Sequence, residues 1–286
     1  MKSIYHCPVC NDPLLLHEES KGLHCSKKHH FDKNEHGYWE FSQAKKPRVD
    51  SRQVMRAKRF LLESGIFSPV NDAITEVLGA ELAAMATDGV IEHLDYDCGE
   101  GSYLRVIKSQ LAERLNQSKL TLVQHGISEA ENALFSAAKI ESELDDDEKT
   151  TLIVSHLKLL PFAPESFDLV SLIDKQLKGK EPIRVLKQGG YLLQVSPAPR
   201  HLWQLKEYLY PDMKEKELQS SLIAGFEELQ SKRVSFNLSI EGEQALTLLE
   251  MTPYAWRAND KVRKQIAQAS FAGLEIDFVI TLSKKL

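Results

Sequence analysis

The chain has 286 residues, 42% hydrophobic and 27% charged, an ordinary balance for a globular protein. No apolar run approaches the ~18 residues of a membrane span, and the opening MKSIYHC lacks the apolar core of a signal peptide. The expectation is a cytoplasmic protein with no membrane partner. Charge is uneven: residues 1–60 hold 12 Lys and Arg against 7 Asp and Glu, a net of +5, while the rest holds 24 against 34, a net of −10. A basic head on an acidic body predicts contact with a polyanion through the head.

Three of the four cysteines fall within residues 7–25. In a reducing compartment, clustered cysteines point to metal rather than disulfides. The pattern is Cys7-Pro-Val-Cys10, fourteen residues, then Cys25-Ser-Lys-Lys-His29. Each pair closes one side of a tetrahedron from a tight turn, and a structural zinc site needs four such N/S ligands. So short a segment has too little core to fold alone, and the metal supplies the missing stability. Cys7, Cys10, Cys25 and His29 are the expected ligands, with His30 and then His24 as competing fourth ligands.

Next, GYWEFSQAKKPRVDS reads as a basic linker. A helix is expected from Ser51 to Leu62, capped by Ser51 or Asp50, and a second from Pro69 to Met85. The tract Glu141–Glu148 reads as a solvated acidic loop. From Val90 onward strands and helices alternate. The expected strands are VIEHLDY, KLTLVQHGI, TLIVSHL, FDLVSLI, GGYLLQVSP, RVSFNLSI and LEIDFVITLS. Such repetition predicts an α/β fold, a mostly parallel sheet with helices on both faces and an antiparallel edge from the last two strands. Ligands of such sheets sit at the strands' carboxyl ends beside the topological switch point. That places the turn Asp95–Gly101 at the site.

With these motifs in place, the chain resembles the bacterial 23S rRNA guanine-N1 methyltransferases that carry an N-terminal zinc ribbon. The likeness covers nearly the whole length: CPVC, HCSKKHHFD and GYW, then RAKRFLLESGIFSPVNDAI, LD-x-x-CGEG-x-Y, LPF, FDLV and RVLKQGG. The most specific pieces are SPAPRHLWQLKEYLY and GEQALTLLEMTPYAWRA. The resemblance implies a seven-stranded Rossmann-like S-adenosylmethionine (SAM)-methyltransferase domain over 86–286, a basic linker and helices over 46–85, and a zinc-ribbon RNA-recognition domain over 1–45. It further implies Zn2+ as structural metal, SAM as methyl donor, N1 of a guanine in a 23S rRNA hairpin as acceptor, and a homodimer.

Carried over by motif, Asp95, Cys98, Gly99, Glu100 and Gly101 form the cofactor loop. His201 matches a residue near SAM, and Phe67 stands where the family often has Tyr. The four zinc ligands match unchanged. Three positions depart from the family pattern. Asp97 replaces the first glycine of the loop, where its charge would repel the SAM carboxylate. Gly126 replaces the ribose-binding Asp. Asp174-Lys175-Gln176 replaces an aromatic-Ala-Pro, with Asp174 as the candidate proton acceptor, although a solvated loop carboxylate is the plainer reading. These departures set an alternative beside methyl transfer: a methyltransferase-fold paralogue that binds RNA without catalysis. A small-molecule methyltransferase whose ribbon serves dimerisation is a third reading.

Overall fold

A computed structural model describes residues 3–41, 52–85, 88–145, 149–218 and 223–286. The proposed caps Asp50 and Ser51, most of the basic linker and Asp146–Glu148 lie outside the described residues. Near the N-terminus, β1 (Leu15–Leu16), β2 (Leu23–His24) and β3 (His30–Phe31) form a small antiparallel sheet. Two helices follow, α1 (Arg52–Glu63) and α2 (Ser68–Met85).

The body of the molecule is one large sheet. Its strands are β5 (Val90–Tyr96), β6 (Thr121–Ser128), β7 (Thr151–Val154), β8 (Phe167–Ile173), β9 (Leu186–Pro197), β10 (Phe226–Glu241) and β11 (Ser270–Lys285). The order is β10-β11-β9-β8-β5-β6-β7, extended at its outer edge by β4 (Trp39–Glu40). The first five strands of this set run parallel, and β11 inserts antiparallel between β9 and β10. All seven strands fall where the alternating pattern expects them, and the late pair forms the antiparallel edge.

The helical layer differs from expectation. Along α3 (Ser102–Ser118), Leu104, Ile107, Leu111 and Leu115 recur at helical spacing and are buried; such spacing makes one apolar face. This helix, α2 and the helix Gly242–Glu250 cover one face of the sheet together with Ile91, Leu169, Leu193 and Ile280. Beside them α4 (Glu131–Glu141) packs on Leu152 and Val154. Glu141, expected in a solvated loop, ends this helix buried, and its carboxylate accepts from Thr150 N at 2.7 Å.

The opposite face carries only α5 (Glu181–Val185) among the described helices, because β7 joins β8 without one. Leu94, Ile127, Ile153, Val170, Leu172 and Leu192 point to that side, and ribbon residues Leu14, Leu23, Trp39 and Phe41 cover them. The ribbon is stitched down by His6 N to Pro161 O (3.0 Å), Ala163 N to Ile4 O (2.8 Å) and Phe41 N to Val154 O (2.9 Å). Residues 39–40, assigned from sequence to a linker, are the strand β4, parallel to β7. The alternating strand pattern announces two apolar faces, but not what covers each. No described helix is long and apolar enough to cross a membrane.

Trp39 joins the ribbon to the sheet, so Trp39→Ala is expected to cost ~3–5 kcal/mol of stability, as for other large buried aromatics. Thermal and denaturant unfolding check this; an unchanged transition would show that the ribbon does not support the sheet.

Candidate functional site

Two turns build the metal centre. Asn11 N donates to Cys7 O at 2.7 Å, and Lys28 N donates to Cys25 O at 3.0 Å. Both turns end in a left-handed residue, Asn11 at φ 60° and Lys28 at φ 64°. They bring Cys7, Cys10, Cys25 and His29 together, with the ligand atoms all within 4.8 Å of one another. Nδ1 of His29 lies 3.5 Å from the Cys7 sulfur and 3.3 Å from that of Cys25. Four N/S donors closed around one point are what tetrahedral zinc requires. The competitors go elsewhere: His30 pairs with Asp32 at 2.8 Å, and His24 packs edge-on to His17.

The second site is the crevice where β5 and β8 run side by side while their connections leave in opposite directions along the sheet. A cleft of about 530 Å³ opens there, lined by Tyr96, Asp97, Glu129, Leu157, Lys175 and the segment Lys178–Glu181. Both central strands exit through left-handed aspartates, Asp97 at φ 62° and Asp174 at φ 53°. Asp visits this region more readily than most residues, which is how the loop turns without its first glycine. Gly99 and Gly101 supply the other positive φ values, 58° and 74°.

The departures from the family pattern meet each other here. Asp97 Oδ2 pairs with Lys175 Nζ at 3.0 Å, and Asp97 Oδ1 accepts from Ser128 Oγ at 3.1 Å. The extra carboxylate is therefore balanced by the extra amine. Gly126 is also explained. A Cβ there would lie 2.9 Å from Cys98 Sγ and 2.9 Å from Leu104 Cδ1, so any side chain overfills the packing under the loop. The carboxylate that reaches the crevice from this strand end is Glu129. It accepts from Leu157 N at 3.0 Å and lies 3.5 Å from His156 Nδ1.

Beneath the crevice runs a buried polar chain across three strands. The Gln124 amide donates to His93 Nδ1 (3.3 Å), His93 Nε2 donates to Ser171 Oγ (2.9 Å), and the Ser171 hydroxyl donates to Asp95 Oδ1 (2.8 Å). Burial pushes the His93 pKa down to about 3, so the ring is neutral. Burial pushes the Asp95 carboxyl up to about 7, the Ser171 bond opposing and the Asp97 charge reinforcing it. Asp174 is half-buried rather than solvated, and burial raises it to about 6, against the pull of Lys175.

The other expected cofactor residues are placed as follows. Glu100 turns away from the cleft to α1, where Arg59 Nε donates to it at 2.9 Å while Arg59 also donates to Ser136 O. Phe67 is buried in the helical-face core. His201 is buried against Phe278, accepting from Asp277 N at 3.3 Å, and burial lowers its pKa to about 3. Neither Phe67 nor His201 lines the cleft. Sequence reasoning missed Lys175 and Glu129 as crevice residues. Each directly follows a strand-end motif, which is the signal that could have found them.

The strand order, the switch-point crevice and the four-ligand centre define a Rossmann-like SAM-methyltransferase fold with an N-terminal zinc ribbon. Residues 5–42 match the family described as RlmA, N-terminal, a zinc ribbon. The chain is 25% identical over 290 residues to the Bacillus subtilis (strain 168) protein named "Putative 23S rRNA (guanine-N(1)-)-methyltransferase YxjB", covering 99% of this chain and 98% of that one. It is 25% identical to the 23S rRNA (guanine(748)-N(1))-methyltransferase of Streptomyces fradiae, covering 92% and 89%. Geranyl diphosphate C-methyltransferase from Streptomyces coelicolor A3(2) superposes with a TM-score of 0.44 at 13% identity, over 75% of this chain and 76% of that one. The N-terminal ribbon thus matches that family's model, and nearly the whole chain is similar to proteins named as 23S rRNA (guanine-N1-)-methyltransferases.

Cobalt substituted for zinc is expected to show intense thiolate-to-metal absorption that Cys25→Ser diminishes and His30→Ala leaves unchanged; a His30 effect would reassign the fourth ligand. Gly126→Asp is expected to destabilise by more than the ~1–3 kcal/mol of overpacking alone, because it also buries a charge. Denaturant unfolding reads this directly.

Proposed function

We propose that the chain transfers a methyl group from SAM to N1 of a guanine in a 23S rRNA hairpin, with the zinc ribbon contributing to RNA recognition. The observation that carries the reading is the switch-point crevice: it holds charges of both signs at the ends of β5 and β8, with a half-buried carboxyl, Asp174, beside it. The amino-acid end of SAM is a zwitterion, so the Asp97–Lys175 pair matches it charge for charge. Lys175 would hold the carboxylate, Asp97 the ammonium and Glu129 the ribose hydroxyls. Bound there, SAM supplies an electrophilic methyl on a sulfonium.

This chain's residues do the rest. Asp174, ionised above its raised pKa, accepts the N1 proton of the incoming guanine, which general-base catalysis makes worth ~10²–10⁴ in rate. The buried chain from Gln124 to Asp95 fixes the floor of the loop, so the reacting groups meet without reorganising. Lys158, Lys178 and Lys180 at the cleft attract phosphates, and a guanine edge is reachable in a loop rather than in a continuous helix. The family resemblance supports a cytoplasmic homodimer.

The Asp97–Lys175 bridge also favours a second reading, a paralogue that binds RNA with its crevice permanently self-paired. Calorimetric titration of SAM into zinc-replete protein separates the two. Measurable binding that Lys175→Ala weakens roughly 10- to 100-fold, the loss of one charged hydrogen bond, supports methyl transfer; no binding by the folded protein sinks it. Methylation of a 23S hairpin is expected to rise with pH through about 6 as Asp174 ionises, and Asp174→Asn is expected to lower the rate ~10²–10⁴ and remove that limb. An Asn variant with an unchanged profile would assign the base elsewhere.

A further inference from the structure

The most exposed large hydrophobic side chain among the described residues is Trp256, 72% accessible. It is not on a loose loop. It stands in a short turn, residues 255–257, that Arg263 braces: Nε donates to Ala258 O at 2.9 Å, Nη2 donates to Ala255 O at 3.2 Å, and Nη1 pairs with Glu250. The guanidinium of Arg257 lies 4.6 Å from the Trp256 ring centre and 5.1 Å from that of Tyr210. Arg257 thus lies against both rings, with the indole exposed. On the other side of the turn, Lys206 sits over Tyr254 at 5.7 Å. Tyr254 itself packs against the core of the helical face.

A large apolar ring left in water is unusual where a packed core is available to take it. Here its position is fixed by a buttressing arginine rather than by burial. Rigid flat groups interleaved with cations match an unpaired nucleobase with its phosphate. Bases stack on indole and guanidinium planes, and every base has a stacking face. A protein partner would be expected to meet a broader apolar patch; here one ring is flanked by charge.

We propose that Trp256, backed by Arg257, is a stacking platform for an unpaired RNA base. This rests on the RNA reading given above. The platform holds the strand by one splayed base.

The test uses the full-length, zinc-replete protein and two probes: an RNA hairpin carrying 2-aminopurine in its loop, and a fully paired RNA duplex of equal length. Anisotropy reads affinity, and 2-aminopurine emission reads stacking. Trp256→Ala is expected to weaken hairpin binding about 5- to 150-fold and to abolish the quenching, with duplex binding and the slope of affinity against salt unchanged. Trp256→Phe is expected to restore most of both. Unchanged hairpin affinity and quenching in Trp256→Ala would overturn the proposal. So would an equal loss on hairpin and duplex, which would make Trp256 part of a general phosphate-binding or folding surface. If wild-type protein bound neither probe, the RNA reading itself would fail and the platform with it. Quenching by a protein that transfers no methyl group would leave the platform standing and remove only catalysis.

Discussion

The sheet has two apolar faces and helices enough for one. That shortage organises the molecule. With no helix between β7 and β8, the side bearing Leu94, Ile127, Val170 and Leu172 would stand in water. Each such side chain left exposed forgoes ~1.5–3 kcal/mol. The ribbon, itself too small to fold without metal, is pressed onto that face through Leu14, Leu23, Trp39 and Phe41. Its cysteine turns and the sheet's second core are therefore one structural unit. The metal orders the ribbon, the ribbon closes the core, and the closed core holds β5 and β8 at the spacing that opens the crevice between their ends.

The crevice shows how local substitutions are understood only in pairs. Asp97 alone would bring an unbalanced charge to a loop built for an anionic ligand group. Lys175 alone would bring a cation where the family places an aromatic-Ala-Pro. Placed 3.0 Å apart, each balances the charge of the other. A related arrangement stands at Gly126: a Cβ there would crowd Cys98 and Leu104, while Glu129, three residues on, lines the cleft. Departures that stand far apart in the sequence are thus met together at one crevice.

Much of this was legible in the sequence. Strand boundaries followed from alternation and from the glycine and proline punctuation; VIEHLDY and FDLVSLI match β5 and β8 to the residue. Cysteine spacing announced the metal centre because knuckle geometry is local. What stayed hidden was non-local. Nothing in residues 37–41 tells a linker from a strand until the partner Ile153 is known. His201 and Phe67 carry family motifs, but whether a side chain faces a cleft or a core depends on what packs over it. The neutralisation of Asp97 depends on a residue 78 positions away in the chain.

One consequence follows from the sheet's two open edges, which are guarded by different means. On one side β10 is long but broken by register shifts at Glu228/Gln230 and Leu238/Ile240, and it carries Lys232 and Arg233. Bulges and charges of this kind discourage a second strand from adding on. On the other side β7 reads Thr-Leu-Ile-Val, without charge or irregularity, and its outer neighbour among the described strands is the two-residue β4 tethered to the ribbon. The guard on that edge is thus held in place by thiolate chemistry. An oxidant that reaches Cys7, Cys10 or Cys25 would release a sticky strand along with the metal.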